Sequence, residues 1–158
     1  NIVCPVGNGS IALGLAQGFQ ELLTNNEIDY LPKIYGVQPK NCNTIYRKFH
    51  GLDMGFEAEP TIAEGIALKF SSKCQEVVET IGYSNGDMIE VTEEEITRAL
   101  LKINRKGYFI EPTSAAAFAG MSKLIEEEKI EENETTVVVL SGNGLKASDK
   151  ILSLNNKF

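Results

Sequence analysis

The chain has 158 residues, 42% hydrophobic and 23% charged, with no Trp. Those numbers fit one globular domain that buries roughly 68–70% of its unfolded surface. Fifteen Lys+Arg against 22 Asp+Glu give a formal charge of −7, a field that repels phosphate backbones and argues against a nucleic-acid partner. No apolar run approaches the ~20 residues of a membrane helix. No basic and apolar leader opens the sequence either, so a cytoplasmic protein is expected, with neither anchor nor secretory signal.

Ile2–Val6 reads as a short buried strand, broken sharply by Gly7-Asn8-Gly9-Ser10. Apolar residues from Ile11 to Leu23 follow helical spacing, and Thr24-Asn25-Asn26 stops them. Lys33–Val37 is a second strand, and Thr44–Phe49 a short helix before a Gly-rich excursion. Ser72–Ile81 reads as helix and Asp87–Val91 as strand. Thr92 and Glu95 form a capping box ahead of a helix whose apolar side carries Ile96, Leu100, Leu101 and Ile103. After a brief extended run at Tyr108–Ile110, Glu111-Pro112-Thr113-Ser114 opens an Ala-rich helix, Ala115 to about Glu128. Its small residues, Gly120 among them, suggest close packing on a neighbour. Thr136–Leu140 is a continuous β-branched run, the pattern of a strand buried on both faces, and it ends at Ser141-Gly142-Asn143-Gly144. Alternating strands and helices predict an α/β fold: three layers, αβα, around a mostly parallel sheet.

The chemistry-bearing residues are few. Cys4, Cys42 and Cys74 make an odd count without CxxC spacing, so reduced thiols are expected rather than a disulfide framework or a zinc site. Cys4 and Cys74 fall in apolar stretches and read as buried; Cys42 falls in a polar turn and reads as exposed. A single histidine, His50, excludes a two-histidine site and reads as a loop residue. The six Glu between Glu126 and Glu134 read as a solvated helix end and loop.

Two glycine-bearing loops stand where ligands bind in parallel sheets, beyond the carboxyl ends of strands. Gly7-Asn8-Gly9-Ser10 lies between a strand and a helix, where glycine lets amide N–H groups converge and the helix start adds positive charge. It is neither a Walker loop nor a dinucleotide fingerprint, because no Gly-Lys-Ser/Thr follows and Ala12 replaces the third Gly. Alone, such a loop is more often a plain turn. Ser141-Gly142-Asn143-Gly144 presents a hydroxyl at the rim of a second strand, and alone it too is more often a turn.

Taken in order, four blocks resemble the fold-type II (tryptophan synthase β-like) pyridoxal-phosphate enzymes, nearest to threonine synthases with threonine dehydratase-like proteins second. They are Ile2–Ser10 (IVCPVGNGS), Thr61–Ala67 (TIAEGIA), Glu111–Ala117 (EPTSAAA) and Leu140–Lys146 (LSGNGLK), together spanning residues 2 to 146. The resemblance implies the large-domain fold of that family and pyridoxal 5′-phosphate as cofactor. It assigns Gly7, Asn8, Gly9, Ser10 and Ile11 to the cofactor phosphate, and Ser141 to the pyridine nitrogen. A neutral hydroxyl there makes the ring a milder electron sink, suited to eliminations and replacements. Glu111 matches an acidic position near the ring, without a firm role. Glu64 falls in a segment that the family places near the substrate, and capping is an equal reading.

The family's Schiff-base lysine sits in a Ser-x-Lys setting well before the glycine loop. By the resemblance residues 1–158 are therefore a single α/β domain, the C-terminal portion of a longer enzyme, with no catalytic residue of their own and inactive alone. Ser71-Ser72-Lys73 has a similar form on the wrong side of the loop, and Lys73 reads as a surface lysine opening a helix. Some relatives bind a metal after the second strand; Gln38–Thr44 lacks a carboxylate, so no metal is expected. The complete protein would convert O-phosphohomoserine and water into threonine and phosphate. Alternatives are a threonine/serine dehydratase-like ammonia-lyase and a non-catalytic module that binds a phosphorylated metabolite. A small amino-acid substrate is the implied partner, and homodimers are common in the family.

Overall fold

In a computed structural model, residues 1–131 and 133–155 are described. Strand β1 (Ile2–Pro5) leads into helix α1 (Ser10–Thr24), then β2 (Ile34–Pro39) and α2 (Thr44–Phe49). Helix α3 (Cys74–Tyr83) precedes β3 (Asp87–Val91), α4 (Glu93–Arg105) and α5 (Pro112–Glu126). The chain ends with β4 (Val137–Val138) and α6 (Ser148–Asn155). Only α6 has no counterpart among the expected elements. Of the six Glu between Glu126 and Glu134, Glu132 lies outside the described residues.

The sheet has the order β3-β2-β1-β4 and is parallel throughout. The period of two along each strand sorts its side chains between two cores. Val3, Tyr35, Val37, Ile89 and Val91 face the side packed by α4 and α5. Cys4, Val6, Ile34 and Met88 face the other side, against Ala12 of α1, Ile45 of α2, and Val77 and Ile81 of α3. Helices thus cover both faces, and the three-layer αβα fold is as the sequence predicts.

Local chemistry fixes the elements at their ends. Glu95 N donates to Thr92 Oγ1 at 3.2 Å and Thr92 N donates to Glu95 Oε2 at 2.7 Å, the reciprocal box that starts α4. Such a cap is worth about 1 kcal/mol. Gly120 presses α5 onto β2: a Cβ there would overlap the Val37 side chain, which is why small residues populate that helix. Tyr108–Ile110 is the extended run expected of it, with Ile110 bridging antiparallel to Asn143.

Three expectations are corrected. The Thr136–Leu140 run is not buried on both faces: only Val137–Val138 ladder with β1, and Val137 is 56% and Leu140 42% exposed. Its residues alternate as a strand should, with Val138 against one core and Val139 against the other. Among the described residues, however, β4 is outermost in the order and pairs on one side only. Cys42 is buried rather than exposed. The turn that carries it tucks beneath the 59–60 segment, where its Sγ donates to Glu59 O at 3.2 Å and Asn41 Nδ2 donates to Pro60 O at 2.6 Å. Cys74, at the first position of α3, is half-buried rather than buried.

Candidate functional site

Strand order decides where a ligand can enter. From β1 the chain steps to β2 and β3 with its connecting helices on one face. It then returns by α4 and α5 on the other face to β4, on the far side of β1. The direction of winding therefore reverses between β1 and β4, and the loops leaving those strands part to opposite faces. Such a reversal, beyond the carboxyl ends of the strands, is the general ligand position of open parallel sheets. The two loops that flank it are Gly7–Ser10 and Ser141–Gly144.

The first loop is built around glycine. Gly9 is the N-cap of α1 at φ 92°, a left-handed conformation, and a Cβ there would overlap Val77 Cγ2. A Cβ at Gly7 would come within 3.3 Å of Ile66 Cα. The start of α1 has no side-chain cap and no acidic residue in its first turn. Helix α4 is the opposite case, with a capping box and Glu93, Glu94 and Glu95 in its first turn. Helix α1 thus leaves its orphan amide donors and positive dipole end for an anion from outside, whereas α4 satisfies its own. Gly7 and Asn8 are half-buried, Gly9 is buried, and Ser10 and Ile11 are exposed at the rim.

A relay of contacts runs from this cup to the second loop. Gly65 and Ile66 lie over Gly7. Gly65 N in turn donates to Thr113 Oγ1 at 3.2 Å, in the first turn of α5. One residue on, the buried Ser114 hydroxyl donates to Gly142 O at 3.1 Å and accepts from Gly142 N at 2.9 Å. Glu111 N also donates to Gly142 O, at 3.1 Å, and Gly144 N donates to Phe109 O at 3.0 Å. The Glu111 carboxylate occupies the space a Cβ on Gly142 would need. All four sequence blocks therefore meet at one end of the sheet. Ser141 stands exposed there, and no hydrogen bond engages its hydroxyl among the described residues.

Ser71, Thr113 and Ser114 are contributors that sequence reasoning missed. Ser71 Oγ donates to Asn8 Oδ1 at 2.9 Å and accepts from Lys73 N at 3.2 Å. A Ser two residues before a helix N-cap is a visible signal for the second bond, but nothing local signals the first, across 63 residues. Lys73 is half-buried at the N-cap of α3 rather than free on the surface. Glu64 does not cap a helix; its exposed carboxylate pairs with Lys150 of α6.

The remaining polar candidates have structural work. Gln38 is buried, its Nε2 donating to Val6 O at 3.1 Å and its Oε1 accepting from Ile45 N and Tyr46 N, each at 2.9 Å. It ties the start of α2 to the residue just before the cup. His50 ends α2 with Nε2 2.9 Å from Met88 O, as a loop histidine would. Burial pushes the Cys4 thiol up to about 12. Cys42 is raised by burial and by the nearby Glu93, and Cys74 by burial against an opposing pull from Lys48. None of the three is an activated nucleophile. Two surface grooves, of about 410 and 770 Å³, lie at the amino ends of the strands beside Leu31 and Pro32, away from these loops.

Residues 1–142 match the family described as pyridoxal-phosphate dependent enzyme. The chain belongs to that family. Among curated relatives, it is 34% identical over 152 residues to a threonine synthase of Methanocaldococcus jannaschii, covering 94% of this chain and 38% of that protein. A threonine synthase of Bacillus sp. is 35% identical over 156 residues, covering 98% and 42%. The chain thus spans about two fifths of the length of the curated relatives it matches. Among solved structures, threonine deaminase isoform 2 of Solanum lycopersicum superposes with a TM-score of 0.72 at 24% identity, over 97% of this chain and 43% of that one. Serine racemase of Dictyostelium discoideum gives 0.62 at 27% identity, over 90% and 43%. The fold is that of the fold-type II members of this pyridoxal-phosphate-dependent family. The residues present fit the group: an uncapped helix start behind a glycine cradle suits a phosphate, and an unengaged hydroxyl at the neighbouring strand end suits a ring nitrogen.

Proposed function

We propose that the complete protein is a threonine synthase-like lyase, converting O-phosphohomoserine and water into threonine and phosphate. Residues 1–158 in this reading supply the cofactor's phosphate and ring-nitrogen contacts. Gly7, Asn8, Gly9, Ser10 and Ile11 hold the phosphate through backbone donors and the start of α1, and Ser141 bonds the ring nitrogen. When bound, pyridoxal phosphate supplies an electron sink for carbanions at the α and β carbons of the amino acid. Ser141, a neutral hydroxyl, does not hold a proton on that nitrogen. Thr113 and Ser114 keep the two loops in register, so that one planar molecule can reach both. The covalent lysine is provided outside residues 1–158, and this stretch by itself turns nothing over. Cytoplasmic residence, supported by three free thiols, and a homodimer belong to the same reading.

The observation that carries the proposal is the placement of both glycine loops at the reversal between β1 and β4, with α1 uncapped. The identity to threonine synthases supports the choice of substrate. The test is turnover by the full-length protein. Phosphate and threonine released from O-phosphohomoserine support the proposal, whereas release of ammonia and a 2-oxo acid from threonine makes it a dehydratase-like ammonia-lyase instead. Binding of pyridoxal phosphate with no turnover of either substrate makes it a binding module. Borohydride reduction with the cofactor, followed by peptide mass mapping, locates the covalent lysine. A stoichiometric adduct within residues 1–158 overturns its assignment outside this stretch.

A further inference from the structure

We propose that Ser71 is a positioning residue for the phosphate cup: it orients the Asn8 side chain so that the Nδ2 donor is presented to the cofactor phosphate. The inference rests on the cup reading above and adds to it a side-chain donor and the residue that aims it. Ser71 is 3% exposed, so its hydroxyl cannot exchange partners with water. Its oxygen accepts from Lys73 N at 3.2 Å, and its proton goes to Asn8 Oδ1 at 2.9 Å. With Oδ1 taken by a donor, the planar amide has one rotational choice left, and Nδ2 is its remaining polar atom. No hydrogen bond engages that atom among the described residues, although the Asn8 side chain is half-buried.

The bond crosses from the segment before α3 to the loop between β1 and α1, so it is not a turn closing on itself. The helix that follows secures Gly9, whose missing Cβ leaves room for Val77. Helix α3 therefore presses the loop into shape, and the segment leading into it sets the polarity of the loop's one amide side chain. The substitution Asn8→Asp keeps the size of the side chain, yet it turns an oxygen toward the phosphate where the amide turns an N–H.

The test compares the affinities of the full-length protein for pyridoxal 5′-phosphate and for pyridoxal, which lacks the phosphate. The wild type is expected to prefer the phosphorylated form strongly; if it does not, the cup reading itself fails. Given that preference, Ser71→Ala should lower it about tenfold, the lower end for a hydrogen bond to a charged group, with pyridoxal binding little changed. Asn8→Ala should lose the same tenfold, and the double variant no more than either single one. Asn8→Asp should lose at least about a hundredfold in the preference, since it adds charge repulsion to the lost donor, while still binding pyridoxal. An undiminished preference in Ser71→Ala, additive losses in the double variant, or an equal fall for both ligands overturns the positioning role and leaves the cup reading standing.

Discussion

Around Gly7–Ser10 the chain is packed from several directions: Ile66 lies on Gly7, Val77 on Gly9, and Ser71 holds Asn8. Around Ser141–Gly144 the support comes from one segment, residues 109–114, through backbone bonds and the Ser114 hydroxyl. Its strand has two residues in the ladder, and Leu145 just beyond is 75% exposed. The two halves of one site thus draw on different physics. The first is a product of close packing, sensitive to added volume. The second is a product of a few hydrogen bonds, sensitive to the loss of an acceptor or donor.

Substitutions can break that contrast. Gly9→Ala has the largest expected effect, because it combines a left-handed φ with an overlap on Val77; about 3 kcal/mol of stability should be lost in urea unfolding. Ser114→Ala should cost about 2 kcal/mol, since Gly142 N loses its acceptor. Thermal unfolding should show this loss, and the affinity for pyridoxal phosphate should fall with it, because the Ser141–Gly144 loop loses its register with the glycine cup. Buried Cys4 sharpens the comparison through pH. Its thiol titrates near 9.0 ordinarily and near 12 in the fold, so above pH 9 the unfolded chain releases a proton that the native one keeps. Stability is therefore full well below pH 9 and falls as pH rises, by about 1.4 kcal/mol at pH 10. Urea titrations from about pH 7 to 10 should show that fall, and Cys4→Ala should remove the largest share of it, leaving the smaller part from the raised Cys42 and Cys74 thiols. Gly142→Ala should be the mildest, under about 1 kcal/mol, because the Glu111 carboxylate in its way ends a flexible side chain. Adding Glu111→Ala should restore the stability that Gly142→Ala loses.

Much of this was legible in the chain. Strands β1 to β3 and helices α1 to α5 follow from apolar spacing punctuated by Gly, Pro and polar stops, and the Thr92 box forms between the expected atoms. The two glycine loops were legible as turns, but their meeting depends on the strand order, which no local pattern encodes. The burial of Thr136–Leu140 was misread for a related reason: β-branched side chains record that a segment suits a sheet, not how many neighbours it has there. Helix α6 escaped because Ser148–Asn155 is short, with Ile151 alone deeply buried among its described side chains. The Ser71 to Asn8 bond escaped because its partners are 63 residues apart.

The pairing of β1 with β4 joins Ile2 to Val137, so the sheet closes over nearly the whole chain. Closure of that span has an entropic cost that only two ladder residues and their flanking bonds offset locally. Folding should therefore complete β3-β2-β1 first and add the C-terminal third last, bringing Ser141 beside the glycine cup as a late event. A molecule held by both loops acts as a clasp on that final closure. It should protect the amides of residues 137–144 from hydrogen exchange far more than those of β2, whose bonds are already secure.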